Sequence, residues 1–220
     1  MDFLAPFIEV YTPEHLKFLL HGFWITIQVA AISIVLSFII GAVVGTLRYA
    51  KIPVLSQVLA VIVETIRNLP LLLIIFFTYF ALPEVGIEMS EMTAAIAALT
   101  VFESAMLSEI IRSGLNSIEK GQVEAARSSG LSYIHSLRYV IMPQALRRMI
   151  PPIVSQFISL LKDTSLAVVI ALPELMHNTQ IIYAQKESYV YPAFIIAALM
   201  YFIVNYALSI LARRLEAKHT

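Results

Sequence analysis

Cysteine is absent from this sequence, which excludes disulfide bonds and cysteine-ligated metal sites. The patterns G-x-x-x-x-G-K-[ST], G-x-S-x-G and H-E-x-x-H are absent too. The chain therefore lacks the phosphate-binding loop of an ATPase, the nucleophile turn of a serine hydrolase and the ligand helix of a zinc protease. No pair of histidines or carboxylates has metal-ligand spacing. We expect a protein that is not an enzyme and that holds no metal or cofactor of its own.

Charged residues are few and balanced. They make up 14% of the 220 residues, with 15 basic against 15 acidic side chains, so the net charge gives no reason to expect a nucleic-acid partner. The opening residues, Met1-Asp2-Phe3-Leu4, also lack the basic stretch of a secretory signal. We expect the first apolar segment to be retained as an anchor.

Apolar residues are abundant and lie in long runs. They make up 59% of the chain, with a mean hydropathy of +0.82, whereas a soluble domain is ordinarily about 45–50% apolar. A bilayer core of about 30 Å needs about 20 apolar residues at the rise of a helix. The sequence predicts an all-α integral membrane protein, a single domain over residues 1–220 with five transmembrane helices. The five segments are about 18–47, 55–82, 92–111, 150–172 and 190–211.

The basic residues predict the orientation of these segments. Eleven of the 15 lie in loops on one side, two lie on the other, and Arg67 and Lys162 lie within segments. The eleven are Arg48, Lys51, Arg112, Lys120, Arg127, Arg138, Arg147, Arg148, Arg213, Arg214 and Lys218. The opposite side carries Asp2, Glu84, Glu88 and other acidic residues, Glu174 among them. Because basic loops stay in the cytoplasm, we expect a multi-pass cell-membrane protein whose N-terminus is outside, whose C-terminus is cytoplasmic, and whose 112–150 loop faces the cytoplasm.

The 112–150 loop is organised rather than a passive connector. Residues 123–128 are good helix formers, Gly130 can adopt the left-handed conformation that ends a helix, and Ser132 can cap a second short helix. We expect Pro143 to close this unit. A helical knuckle of this kind can fit a cleft on a partner and move as a rigid lever. A loop that only lies on the anionic inner surface of the membrane is the alternative.

Residues 124–130 have the order E-A-A-x-x-x-G, and nine residues then separate Gly130 from Val140-Ile141-Met142-Pro143. This arrangement resembles the EAA loop of ABC-importer permeases. Other stretches are similar to the polar amino-acid branch of that family: residues 64–72, 110–122, 143–145 and 160–166. The resemblance implies the type I ABC importer permease fold, with this loop docking onto a separate ATPase. It assigns that coupling to Glu124, Ala125, Ala126, Gly130 and Pro143.

The same resemblance implies a transport subunit that moves a polar amino acid, with glutamine the best guess, by alternating access. It also implies the partners: two copies of an ATPase that binds ATP and Mg, a second permease that is identical or homologous, and an extracytoplasmic solute-binding protein. The family often has an aromatic residue at Met106 and Gln at His135, so this chain departs from it twice. A secondary transporter or channel not driven by ATP is the alternative function.

Several charged and polar residues lie within the apolar segments, where a charge costs at least about 2.5–3.5 kcal/mol. Glu64 and Arg67 have the i, i+3 spacing that places them on one helix face, where they can neutralise each other or meet a zwitterion. Lys162 and Asp163 are adjacent, so they point roughly 100° apart on a helix. The candidates for the substrate path are Glu64, Arg67, Lys162, Asp163, Thr164 and Ser165. Structural ion pairs between helices are the alternative.

Three further features follow from the pattern of polar residues. Gln156 and Ser159 precede Asp163 at helical spacing and form a polar stripe with it. Glu109 can pair with Arg112, and we favour a structural role for that pair. His177 follows the fourth segment, where we expect a solvated loop.

Overall fold

The computed structural model of the protein describes residues 5–217, with side chains as far as Arg214. Asp2 and Lys218, both counted in the charge pattern, lie outside the described residues. Every regular element in the described range is helical. The α-helices are α1 (Ala5–Val10), α2 (Pro13–Tyr49), α3 (Leu55–Asn68), α4 (Leu71–Phe76), α5 (Glu91–Asn116), α6 (Lys120–Ser128), α7 (Tyr133–Ser136), α8 (Met142–Asp163), α9 (Leu175–Tyr183) and α10 (Val190–Ala217).

The long helices confirm the prediction of an all-α membrane protein. Within the described residues, four helical runs are long and apolar enough to cross a bilayer, and a bent pair of helices raises the number to five if it counts as one span. The four are Pro13–Tyr49, Glu91–Asn116, Tyr133–Ile170 and Glu187–Arg214. The bent pair, Leu55–Asn68 with Leu71–Val85, covers the second predicted segment.

That second segment is interrupted at Leu69 and Pro70. Leu69 is extended, with φ −89° and ψ 141°, so α3 ends at Asn68. The ring of a proline disfavours the helical conformation of the residue before it, which explains the break. A new helix then begins at Leu71, directly after the proline. One apolar run in the sequence is therefore two helices in the structure.

The expectation that Pro143 closes the polar loop is wrong. Pro143 lies in the first turn of α8, and a π-helical turn, Leu137–Ile141, leads into it. A proline lacks the amide proton of a regular turn and its ring crowds the carbonyl four residues earlier, so a locally widened turn just before it lets the helix continue. The helical run therefore starts at Tyr133, well before the predicted residue 150.

The chain forms two compact units. The first comprises residues 1–34, 70–99 and 158–208, and the second comprises residues 35–69, 100–157 and 209–220, as far as they are described. In the first unit, Leu19 on α2 packs with Leu175 and Ile182 on α9 in a buried cluster. In the second unit, Leu107 and Ile111 on α5 pack against residues of the polar loop and of α8.

Glycines bring α2 and α5 together within the second unit. A Cβ added at Gly41 would lie 2.8 Å from Leu107 Cβ, and one added at Gly45 would lie 2.6 Å from the carbonyl oxygen of Ser108. Gly41 and Gly45 form a G-x-x-x-G pattern, which lets two membrane helices approach to backbone contact. The two glycines therefore allow α2 and α5 to pack closely at this point.

Candidate functional site

The predicted knuckle is present in the structure and begins with α6. Glu124 and Ala125 are exposed on this helix, whereas Ala126 is buried. Gly130 has a φ of +86°, the left-handed conformation that the sequence predicted. Its amide donates to the carbonyl of Arg127 at 3.0 Å, and the amide of Leu131 donates to that of Ala126 at 3.2 Å. These bonds satisfy carbonyls at the end of α6, so the helix ends in a defined turn.

The second helix of the knuckle has the predicted cap. The Ser132 hydroxyl accepts a hydrogen bond from the His135 amide at 3.3 Å and lies 2.7 Å from His135 Nδ1. The imidazole therefore reaches the serine that Gln would approach in the family pattern. The His135 ring also stacks on Tyr139, with the ring centroids 5.8 Å apart. His135 stabilises the start of α7, and the departure from the family pattern leaves the cap intact.

The knuckle packs against a buried hydrophobic cluster. Ile118, just before α6, and Ile141, just before α8, are buried in the cluster of Leu107 and Ile111, and Val123 on α6 packs against it. The knuckle is thus built on the same core as α5 rather than tethered by a free loop. Because a packed core is rigid, this cluster joins α6 firmly to α5.

Of the two alternatives for Glu64 and Arg67, the structure does not contain the ion pair between them. Glu64 is exposed on α3 and lines a shallow cavity of about 400 Å³ with Thr65 and Asn68. Arg67 Nη1 lies 4.0 Å from Glu109 Oε2 on α5. The i, i+3 spacing permits a pair on one helix, but a carboxylate on a neighbouring helix that already holds arginines attracts Arg67 instead. Arg67 thus forms its ion pair with Glu109 on α5, although Glu64 is only three residues away in the sequence.

Glu109 is the centre of a cluster of arginines. Arg112 donates to it at 2.5 and 3.1 Å, which confirms the pair predicted from the sequence, and Arg48 Nη1 on α2 donates at 2.9 Å. The Glu109 side chain is 21% exposed and that of Arg48 only 8%. Charge-assisted bonds of this kind are roughly twice as strong as neutral ones. The cluster ties α2, α3 and α5 of the second unit together.

The Lys162–Ser165 motif marks the end of α8. After Asp163 the helix narrows into a 3-10 helix, Thr164–Ile170. Lys162 is exposed, Asp163 is half-buried and Thr164 is fully buried, which confirms that adjacent residues of the motif point in different directions. The Thr164 and Ser165 hydroxyls donate to the carbonyls three residues earlier, both at 2.7 Å.

The structure brings together two polar residues that the sequence left apart. Gln156 Nε2 on α8 donates to Glu103 Oε1 on α5 at 3.1 Å, and Glu103 is fully buried. The stripe through Gln156 was visible in the sequence, but its partner was not. Among the side chains that the structure describes, residues 5–214, no three His, Asp or Glu are grouped closely enough to hold a metal ion.

Glu174 and His177 differ from the sequence prediction. His177 lies in α9 and is half-buried, so the expectation of a solvated loop is wrong. Glu174 was counted only as a loop charge, yet it is fully buried and caps α9. Burial raises the pKa of its carboxyl to about 7, although four hydrogen bonds to it act in the opposite direction. Glu is not among the usual N-cap residues, so no cap signal in the sequence marked the start of α9.

Known proteins resemble the chain over nearly its whole length. Residues 33–219 match the model of a family described as binding-protein-dependent transport system inner membrane component. The probable glutamine ABC transporter permease protein GlnP of Bacillus subtilis (strain 168) is 71% identical over 216 residues, which cover 97% of this chain and 99% of that protein. The glutamine transport system permease protein GlnP of Escherichia coli (strain K12) is 35% identical over 204 residues, 91% and 92% of the two chains.

Solved structures share the fold. A crystal structure of an amino acid ABC transporter with histidines matches with a TM-score of 0.88 and 29% identity, covering 99% of both chains. An inward-facing structure of the MetNI methionine ABC transporter matches with a TM-score of 0.77 over 95% of this chain. Its identity of 22% means that this second likeness concerns the fold alone.

Proposed function

The chain belongs to the family of binding-protein-dependent transport system inner membrane components, and from that premise we propose that it moves glutamine into the cell. It is a multi-pass membrane permease subunit of an ATP-driven amino-acid importer, and not an enzyme. The observation that carries the choice of glutamine is the 71% identity to a probable glutamine permease over almost the whole chain. Because the matched family depends on binding proteins, a secondary transporter or channel is not supported.

The partners follow from the same premise. An extracytoplasmic solute-binding protein delivers the amino acid, a second permease completes the path, and two copies of an ATPase bind ATP and Mg. The exposed Glu124 and Ala125 on α6 contact that ATPase, and Ala126 and Gly130 give the knuckle its shape. Pro143 belongs to the first turn of α8, through which the knuckle continues into the membrane. The packing of Ile118 and Ile141 against α5 supports this role, because it gives the knuckle a rigid base.

Two sets of charged and polar residues lie on the substrate path in this proposal. Glu64 and Arg67 on α3 form one set, and Lys162 and Asp163 at the end of α8, with Thr164 and Ser165 directly after them, form the other. An amino acid carries one charge of each sign, and the two sets offer both. The exposure of Glu64 and the half-buried position of Asp163 support contact with a passing solute.

Uptake measurements test the substrate. Radiolabelled glutamine uptake is measured in a strain that lacks this permease and carries it on a plasmid, with the other amino acids as unlabelled competitors. We expect uptake that unlabelled glutamine suppresses most strongly. Uptake of a different amino acid, with glutamine a weak competitor, would contradict the choice of glutamine while leaving the importer itself in place.

A single substitution tests the coupling. Gly130→Val places a β-branched residue at a φ of +86°, where such a residue is strained. We expect the protein to insert normally, to co-purify less ATPase and to lose uptake. Gly121→Val on the exposed side of α6 has open space and no left-handed requirement, so it serves as the control. Unchanged uptake in Gly130→Val would show that this loop is not the lever.

Orientation is tested by labelling. The natural chain has no cysteine, so a single cysteine at Glu88 reports its own side of the membrane. We expect a membrane-impermeant thiol reagent to label Glu88→Cys from outside intact cells. In a separate variant, Lys120→Cys should react only after the membrane is opened. The reverse pattern would invert the proposed topology.

A further inference from the structure

An exposed turn joins the bent pair of helices to α5 in the first unit. After α4 and a π-helical turn, Phe77–Ala81, the chain forms a 3-10 helix, Leu82–Val85, and it reaches α5 at Glu91. We call residues 82–90 the outer turn, because the distribution of basic residues predicts that they lie outside the cell.

The outer turn has a defined backbone conformation. Gly86 has a φ of +85°, and its amide donates to the carbonyl of Pro83 at 2.9 Å. The Ile87 amide donates to the carbonyl of Leu82 at 3.1 Å. These two bonds around a left-handed residue form the Schellman motif that ends a helix. A turn held in this way loses little conformational freedom when a partner binds it.

Two apolar side chains of the outer turn are open to solvent. Val85 is 73% exposed and Ile87 is 47% exposed, and only Gly86 separates them in the sequence. We call these two side chains the tip of the outer turn. A single exposed apolar residue is ordinary, whereas apolar side chains grouped within a polar rim mark interaction sites.

Carboxylates flank the tip on both sides. Glu84 directly precedes Val85, Glu88 directly follows Ile87, and both carboxylates are exposed. Residues 82–90 contain no basic residue. The ion pairs among the described side chains, residues 5–214, include neither Glu84 nor Glu88. The outer turn therefore carries two negative charges that nothing in the described chain neutralises.

Other carboxylates on the same predicted side already have partners. Glu9 Oε2 lies 2.6 Å from Lys186 Nζ in an ion pair. Glu91 Oε1 accepts a hydrogen bond from the Tyr79 hydroxyl at 3.2 Å, and Glu174 is fully buried. The outer turn differs from these sites because its carboxylates are exposed and lie beside an exposed apolar pair.

We propose that the outer turn is the surface on which the extracytoplasmic solute-binding protein docks, with basic side chains of that protein beside Glu84 and Glu88 and an apolar patch of it on the tip. This inference rests on the proposed function and topology, because the matched family depends on a binding protein that must deliver its solute at the outer face. An apolar centre within a polar rim is typical of protein interfaces. Charges in such a rim mainly accelerate the encounter of the partners and make it sensitive to salt.

The first test identifies the partner without measuring transport. Val85→p-benzoylphenylalanine places a photoreactive side chain at the tip, and intact cells that contain the complete importer are irradiated. We expect a crosslinked product whose second component, identified by mass spectrometry, is a solute-binding protein. Val58→p-benzoylphenylalanine, at an exposed valine of α3, is the matched control and should give no such product.

A second position decides the outcome if the Val85 variant does not reach the membrane. Ile87→p-benzoylphenylalanine places the same photoreactive group on the other side of Gly86, and the same product is expected. Crosslinks from the tip to a second permease, to lipid alone or to nothing would overturn the inference.

The second test measures the effect of the two charges. The permease and its ATPase are reconstituted in proteoliposomes, and glutamine uptake is measured against the concentration of the glutamine-loaded binding protein outside. In the double variant with Glu84→Gln and Glu88→Gln, we expect the half-saturating concentration of binding protein to rise about three- to tenfold, with the maximal rate unchanged. Added salt should raise this concentration in the wild type more than in the double variant.

A third carboxylate serves as the control for these charges. Glu187 is exposed on the same predicted side but directly follows Lys186, so Glu187→Gln should leave the half-saturating concentration unchanged. The same half-saturating concentration in wild type and double variant, or a fall in the maximal rate alone, contradicts the inference. Absence of uptake in the wild type at every concentration contradicts the proposed function. The crosslinking experiment then still decides the inference, because a binding protein for any solute supports it.

Discussion

Substitution of Gly45 by alanine should destabilise the permease through its effect on one helix contact. The new Cβ would lie 2.6 Å from the Ser108 carbonyl oxygen and 3.1 Å from Ile111 Cβ, whereas such atoms normally stay about 3.5 Å apart or more. The helices α2 and α5 must therefore separate by nearly one ångström. Overpacking of this kind costs about 1–3 kcal/mol, against a gain of about 0.5–1 kcal/mol for alanine over glycine in a helix.

The assay is thermal unfolding of the purified permease in detergent. One kcal/mol corresponds to about 2–4 °C in Tm for a chain of this size, so Gly45→Ala should lower the Tm by several degrees. Gly121→Ala is the matched control, because nothing lies within 4 Å of its new Cβ, and it should raise the Tm slightly. If Gly45→Ala raised the Tm as much as Gly121→Ala, the close approach of α2 and α5 would be refuted.

Two further predictions concern charges. Glu109→Gln leaves Arg48 and Arg112 without their carboxylate and should lower the free energy of unfolding by about 2–3 kcal/mol, whereas the exposed Glu119→Gln should not; equal stability of the two variants in denaturant would contradict this. Burial raises the pKa of Glu174 from 4.5 to about 7, so the native state binds this proton more tightly than the unfolded state does. The protonated Glu174 therefore contributes stability at low pH, and this contribution is lost as the pH rises through about 7. The drop in Tm between about pH 5 and about pH 8 should be smaller in Glu174→Gln, and an unchanged drop would argue against the raised pKa.

The spans were predictable because hydropathy depends on residues close in the chain. All five predicted segments coincide with helical runs that are long and apolar enough to cross a bilayer, the second as a bent pair. The left-handed Gly130 and the cap at Ser132 were predictable for the same reason, since each depends on its immediate neighbours. The prediction that Pro143 ends the loop was wrong, because a π-helical turn lets the helix continue past the proline. No single residue in the sequence indicates such a turn.

The contacts of the polar residues were not predictable in this way. Thr26 and Glu174 meet across 148 positions of the chain, and Glu103 and Gln156 across 53. Spacing along one helix suggested that Arg67 would meet Glu64, but a carboxylate on another helix was the stronger attraction. Periodicity identifies which residues share a face, and only the packing of helices decides what that face touches.

The left-handed turn at Gly130 favours a D-amino acid over an L-amino acid at this position. An added Cβ meets nothing within 4 Å there, so space is available and only the torsion angle excludes other L-residues. A positive φ is the natural preference of a D-amino acid, because mirror-image sterics invert the allowed regions. A D-alanine placed at position 130 by chemical synthesis should therefore fit where L-alanine is strained. Among the genetically encoded residues, asparagine should be tolerated better than alanine, and alanine better than valine.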